Sequence, residues 1–247
     1  MLLGDCRERL AELAPGSVDA VVTDPPYGER EARWDRTSVD FHTEWLSAVR
    51  PLLRPGAPIL AFASRRLDWQ LKVAAHQLRI PNRGQLIWTH RQGFQPTPGS
   101  PRIEHESLVW LGGDLRPRAA EVRGMRAYFT PHPLIERAST RGFQKWTYRP
   151  NPDGPVGGTV YEAARNNLTE KAGRSRDRSA QKPVGVMRYF VALACAPDGV
   201  VLDPFCGTGA TLEAASELGR SSIGVDRDGA VLALIERRLR REGCHVG

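Results

Sequence analysis

Apolar positions along the chain fall into two kinds of run. Short continuous runs occur at 18–23, 57–63, 85–88, 107–111, 200–202 and 222–225, and Leu2-Leu3 forms a shorter one. Runs of this length, bounded by Pro, Gly or Asp, predict buried strands, seven in all. Between them the spacing changes. In 41–53, Trp45, Leu46, Val49, Leu52 and Leu53 recur at helical intervals. The same reading predicts helices at 67–78, 184–194, 211–218 and 228–240, and one or two turns at 7–13. Strands alternating with helices predict an α/β fold with a mostly parallel seven-stranded sheet and helices on both faces. From 112 to 179 the periodicity weakens and Pro and Gly punctuate the chain, which predicts an irregular insertion.

In an open α/β sheet, ligands bind in loops at the carboxyl ends of strands. Two such loops begin with a carboxylate. Asp24-Pro25-Pro26-Tyr27 follows the strand at 18–23, and Asp203-Pro204-Phe205-Cys206-Gly207-Thr208-Gly209 follows the strand at 200–202. The glycines of the second loop allow a tight turn and a close ligand approach, and the helix that follows presents its amides. Asp226 ends the next strand, where an acid can accept hydrogen bonds from ribose hydroxyls. A dinucleotide fingerprint would need a third glycine where Leu212 stands, and no Gly-Lys-Ser/Thr follows to make a phosphate loop. In the first loop Asp24 can accept from an amino group. Two prolines hold the backbone stiffly, so the Pro25 carbonyl can accept the second amino hydrogen. Two acceptors on one NH2 turn its lone pair out of the ring. Tyr27 offers a flat face for a base, worth about 1–3 kcal/mol when stacked.

Composition and charge narrow the setting. The 247 residues suit one α/β domain with an insertion. No apolar run approaches the roughly 20 residues of a membrane span, and the N-terminus does not read as a signal peptide, so a cytoplasmic protein is expected. The net charge is +7, and the stretch 114–182 holds 14 Lys/Arg against 7 Asp/Glu. A basic segment beside a crevice suits a polyanionic substrate. Two stretches interleave basic and aromatic side chains: Arg91 with Phe94, and Lys145 and Arg149 with Trp146. They are candidates for phosphate and base contacts, with core packing as the alternative. Cys6, Cys195, Cys206 and Cys244 form no Cys-x-x-Cys pair and the histidines are scattered, so no metal is expected.

At these residues the chain resembles the amino-methylating DNA methyltransferases that use S-adenosylmethionine, and its order resembles their beta group, with Asp-Pro-Pro-Tyr before the glycine loop. Gly4-Asp5-Cys6, His105-Glu106-Ser107-Leu108, Gln181-Lys182-Pro183 and 220–226 resemble further elements of that group. The resemblance implies a Rossmann-like class I methyltransferase fold. It divides the chain into a catalytic half at 1–111, a target-recognition insertion at 112–180 and a cofactor half at 181–247. It implies S-adenosylmethionine as cofactor and DNA as partner, with an adenine flipped from the duplex and methylated on N6 without metal or covalent intermediate. Asp24, Pro25, Pro26 and Tyr27 would form the base pocket. Asp5 and Cys6 would lie at the cofactor's adenine, Asp226 at its ribose, and Phe205 against its rings. Asp203, Gly207, Thr208, Gly209 and Thr211 would lie along its methionine end, and Lys182 would meet its carboxylate. Relatives of this group often dimerise, so a homodimer is compatible with the resemblance.

Several alternatives stay open at the level of sequence. N4-methylation of cytosine needs the same acceptors, although Asp rather than Ser at position 24 leans towards adenine. RNA could replace DNA, and a protein-glutamine enzyme would tend to carry Asn at position 24. A non-catalytic nucleic-acid-binding relative is the reading from another class. Attack by a thiolate on cytosine carbon-5 is disfavoured, because Cys206 follows Phe205 and Cys195 follows Ala194 rather than a proline.

Overall fold

The apolar runs become strands because both of their faces are covered. In the computed structural model, residues 1–29, 35, 37–94, 98–115, 160–162 and 181–241 are described. The strands are β1 (Leu2–Leu3), β2 (Ala20–Thr23), β3 (Pro58–Ala63), β4 (Asn82–Phe94), β5 (Ile103–Gly112), β6 (Val160–Glu162), β7 (Val200–Asp203) and β8 (Ser221–Asp226). The helices are α1 (Cys6–Arg9), α2 (Val39–Val49), α3 (Asp68–Gln77), α4 (Val184–Ala194), α5 (Ala210–Glu217) and α6 (Gly229–Arg241). The strands form one sheet in the order β1-β8-β7-β2-β3-β5-β4-β6. Only β5 runs antiparallel to its neighbours. The eighth strand, β6, is not legible in the sequence. It is three residues long and adds to the edge of β4 by backbone pairing, Ile87 opposite Val160, which requires no apolar periodicity.

Alternation along β2 shows how the layers are built. Ala20 and Val22 face a core shared with Val186, Phe190 and Leu193 of α4 and Ala214 of α5. Val21 faces the opposite core, with Trp45 and Leu46 of α2 and Leu71 of α3. Each fully buried Val or Leu contributes about 1.5–3 kcal/mol, so this central strand is anchored from both sides. Helix α2 starts where the Ser38 hydroxyl accepts from the Phe41 amide at 3.1 Å. Within it, the buried Trp45 indole donates to His42 Nδ1 at 3.0 Å. Burial holds His42 down to about 4, so the imidazole stays neutral and can accept.

The position of Leu212 has a counterpart on the sheet. A side-chain carbon at Gly224 would lie 2.7 Å from Leu212 and 3.0 Å from the Cys206 sulfur. The close approach of α5 to β8 is therefore provided by a glycine on the strand, where a dinucleotide fingerprint would place one on the helix. Lys145, Trp146 and Arg149 lie outside the described residues. Arg91 and Phe94 fall near the carboxyl end of β4, on the same sheet edge as the two predicted loops.

Candidate active site

The sheet order reverses at its centre. From β2 the chain proceeds through β3 to one side, and from β7 through β8 to the other. Strands β2 and β7 are hydrogen-bonded neighbours, Val21 opposite Leu202. Their carboxyl ends thus open into one crevice, as expected at a topological switch point. The loops are clasped at its floor. Thr23 donates its hydroxyl to Asp203 at 2.6 Å, and the Phe205 amide donates to the same carboxylate oxygen at 3.1 Å.

On the β2 side, both oxygens of Asp24 are engaged. Tyr27 donates its phenol to Oδ1 at 2.7 Å, and Lys182 donates its ammonium to Oδ2 at 2.7 Å. Glu106 joins them, 3.2 Å from the ammonium and 3.4 Å from the phenol. The side chains of Asp24, Lys182 and Glu106 are 24%, 10% and 18% exposed. Burial pushes the Asp24 carboxyl up, while the Lys182 charge pulls against it. Burial works against the Lys182 charge too, but Asp24 and Glu106 outweigh it and its pKa rises. Burial and the two carboxylates hold the Tyr27 phenol well above its usual range, so it remains a donor. Lys182 also lies 5.2 Å from the Tyr27 ring centroid and 4.9 Å from that of Phe62. Two carboxylates share the Lys182 ammonium here.

Glu106 belongs to a strand that carries the resemblance, yet the sequence does not single it out as a site residue. The reason is directional. Loops after parallel strands mark the crevice edge, but β5 is antiparallel and brings its beginning to that edge. Lys182 arrives similarly, just before α4. In this structure its ammonium is on Asp24 and Glu106, where the resemblance implies a place at a cofactor carboxylate.

On the β7 side the glycine loop has the shape of a cradle. Gly207 and Gly209 take φ of +48° and +82°, a region that disfavours side chains. A side-chain carbon on Gly207 would meet nothing nearer than the Phe205 carbonyl at 3.9 Å, so the backbone there is open to a ligand. Asp226 adjoins it, accepting from the Gly207 amide at 3.0 Å and the Asp228 amide at 2.9 Å. Burial pushes its carboxyl up. The Gly4 amide donates to the Asp226 carbonyl at 2.8 Å, which brings the β1 turn to the same end of the sheet. There Asp5 caps α1 and meets Arg7 at 2.7 Å and Arg227 at 3.1 Å. Hydrogen bonding from Arg7 holds its carboxyl down to about 2. Cys6 is buried, with its thiol pushed up to about 12 by burial. Phe205 packs against Trp45 and Phe41, with ring centroids 5.7 and 5.9 Å away. Thr208 lies partly exposed between the two glycines. Cys206 is buried and its thiol pushed up by burial, then by Asp203 and Asp226, which suits packing and not nucleophilic attack. Among the described residues, no three His, Cys, Asp or Glu side chains gather as a metal site.

Asp203 carries a stability consequence. Burial pushes its carboxyl from 3.8 up to about 6, against hydrogen bonds from Thr211, Thr23 and the Phe205 amide. The folded state therefore holds the proton more tightly than the unfolded state. Stability from this group is complete below the unfolded value and is lost as pH rises through the folded one, by about 3 kcal/mol in total. Urea titrations between pH 4 and 7 are expected to show this decline in the wild type and a flatter curve in Asp203→Asn. An undiminished decline in the variant would assign the effect elsewhere.

Adjacent central strands at the switch point, one leading to a glycine loop with an acid at the end of the next strand and the other to an Asp-Pro-Pro-Tyr loop, have the arrangement of a class I methyltransferase fold. The chain belongs to the DNA methylase family of N6/N4 methyltransferases, whose family model matches residues 18–237. It is 24% identical to the type II methyltransferase M.HinfI of Haemophilus influenzae, over 97% of this chain and 68% of that protein. The fold is similar to TTHA0409, a putative DNA modification methylase of Thermus thermophilus complexed with S-adenosyl-L-methionine, with a TM-score of 0.62, 24% identity, and coverage of 97% and 92% of the two chains. It is also similar to the cytosine-N4-specific PvuII DNA methyltransferase, with a TM-score of 0.68 at 12% identity, covering 96% and 84%. No helix among the described residues is long and apolar enough to cross a membrane.

Proposed function

We propose that this protein methylates the exocyclic N6 of an adenine flipped out of duplex DNA. The observation that carries the reading is the clasp of 2.6 Å between Thr23 and Asp203, which brings the Asp24 loop and the glycine loop to one crevice. Enzymes of this family draw their methyl group from S-adenosylmethionine. The open backbone at Gly207 and the acid at Asp226 fit such a group. Asp226 would hold its ribose, Asp5 and Cys6 would flank its adenine, and Phe205, Asp203, Thr208, Gly209 and Thr211 would line the remainder. Bound there, the cofactor supplies an electrophilic methyl.

The protein's own part is acceptance and placement. Asp24 accepts one amino hydrogen and the Pro25 carbonyl the other, so the nitrogen lone pair is turned out of the ring. Pro26 keeps that carbonyl fixed, and Tyr27 offers its face to the base. As nitrogen gains positive charge, Asp24 and Glu106 supply the compensating field. Lys182 keeps Asp24 charged and aligned between turnovers. Its contacts support this role over one at the cofactor carboxylate. The segment 112–180, with Lys145, Trp146 and Arg149, is proposed as the recognition insertion, and Arg91 and Phe94 as contacts at its border. A homodimer remains part of the proposal.

Adenine N6 and cytosine N4 present the same two donors, and Asp at position 24 favours adenine. Plasmid DNA incubated with protein and S-adenosylmethionine, digested to nucleosides and weighed by mass spectrometry, is expected to yield N6-methyladenine. A product that is entirely N4-methylcytosine would replace this assignment. Methylated RNA with unmodified DNA would replace the substrate.

A further inference from the structure

The turn between β3 and α3 carries the residues Ser64-Arg65-Arg66-Leu67, and Trp69 follows in the first turn of the helix. Register places it beside the base pocket. Thr23 is opposite Ala61, so the chain leaving β3 rises next to the Asp24 loop. The two are fastened together. Ser64 donates its hydroxyl to Glu29, two residues beyond Tyr27. A side-chain carbon on Gly28 would come within 3.2 Å of Leu67 and collide with the Thr37 hydroxyl, and that hydroxyl donates to Gln70 of α3 at 2.9 Å. The turn and the pocket loop therefore hold a fixed relation.

Arg65 and Arg66 are exposed on this turn. Several other surface arginines meet acids: Arg7 with Glu44, Arg9 with Glu12, Arg54 with Asp19, Arg188 with Glu217. Among the described residues, neither Arg65 nor Arg66 meets a carboxylate within ion-pair distance. The nearby acids are already engaged, Glu29 by Ser64, and Asp68 by Lys72 at 2.5 Å and Gln85 at 2.7 Å. Trp69 adds a half-exposed apolar face beside them. Two consecutive arginines on an exposed turn tied to the Asp24 loop, with no carboxylate partner among the described residues, are complementary to consecutive phosphates.

We propose that Arg65 and Arg66 form a phosphate-binding shelf, which grips the DNA backbone beside the nucleotide delivered to Asp24. The inference rests on the assignment of Asp24–Tyr27 as the base pocket. The shelf positions the strand without reading sequence, so its contribution is electrostatic and released by salt.

The test is fluorescence anisotropy with a mixed-sequence duplex of about 30 base pairs, titrated across a range of KCl concentrations. Two neutral substitutions together, Arg65→Gln and Arg66→Gln, are expected to lower the slope of log affinity against log salt by about 2, and to weaken binding roughly tenfold near 0.15 M salt. Lysine at both positions should restore the slope. A matched charge removal at the opposite end of the strands, Arg50→Gln with Arg79→Gln, should leave it unchanged. KM for plasmid DNA should rise while kcat at saturating DNA and calorimetric affinity for S-adenosylmethionine stay put. An unchanged slope in the Arg65/Arg66 pair, or an equal loss in the Arg50/Arg79 pair, overturns the shelf and leaves the pocket assignment standing. A wild type that binds the duplex normally but loses no activity in Asp24→Asn removes the pocket assignment instead.

Discussion

Asp24→Asn is expected to lower the methyl-transfer rate by a factor of about 1,000 or more, with cofactor affinity unchanged. The carboxylate accepts from Tyr27 on one oxygen and from Lys182 on the other, both at 2.7 Å. An amide of the same shape keeps one acceptor and turns a donor towards either an ammonium or a phenol. It also removes the negative charge that, on the proposed reading, meets the developing charge on the amino nitrogen. Losing a charge-matched contact made mainly in the transition state costs about 4 kcal/mol, which is that factor. Transfer of labelled methyl to plasmid DNA at saturating substrates measures the rate, and calorimetry with S-adenosylmethionine measures the binding. A rate within tenfold of wild type would mean that Asp24 is a structural carboxylate and that the base is held elsewhere.

Lys182→Met is expected to cost on the order of a hundredfold at neutral pH and to move the acid limb of the pH–rate profile to higher pH. The sign follows from the cluster. On the proposed reading, Asp24 must be ionised to accept from the amino group. Burial already raises its pKa, and the ammonium is the main influence opposing that rise. Without the ammonium, Glu106 and burial still push the Asp24 carboxyl up, it holds its proton longer, and activity returns only as pH increases. Stability should fall as well, since removing one partner of a largely buried ion pair leaves charge unpaired, at about 3–5 kcal/mol before protonation relieves it. Adding Glu106→Gln to Lys182→Met should recover much of the stability. A lysine needed only at the cofactor carboxylate would give a different result: raised KM for S-adenosylmethionine and an acid limb that does not move.

Much of this arrangement can be read from the chain, for physical reasons that also mark where reading stops. The seven predicted strands announce themselves because each is a bounded apolar run, and α4 matches its apolar spacing end to end at Val184–Ala194. Asp24 and Asp203 stand out because a carboxylate at the end of a parallel strand falls on the crevice edge. The same rule overlooks Glu106, which lies near the start of an antiparallel strand. The resemblance implies Lys182 at the cofactor carboxylate, whereas its ammonium here meets Asp24 and Glu106, because a long side chain can reach either half of the crevice and sequence gives no direction to a flexible amine. Strand β6 escapes because three residues pairing through the backbone leave no pattern. The clasp of Thr23 is invisible too, since a threonine closing a buried strand is ordinary until its neighbour is known.

That clasp joins residues 180 positions apart, through two strands that sit side by side in the middle of the sheet. During synthesis, β2 has its central edge unpaired until residues 200–203 of β7 have been made. The two halves implied by the resemblance therefore meet through adjacent central strands. The proposed nucleobase side and donor side come together only when β7 lies beside β2. On the proposed reading, pairing the two central strands and assembling the site are one step, so a chain lacking β7 would expose the β2 edge and lack the clasp.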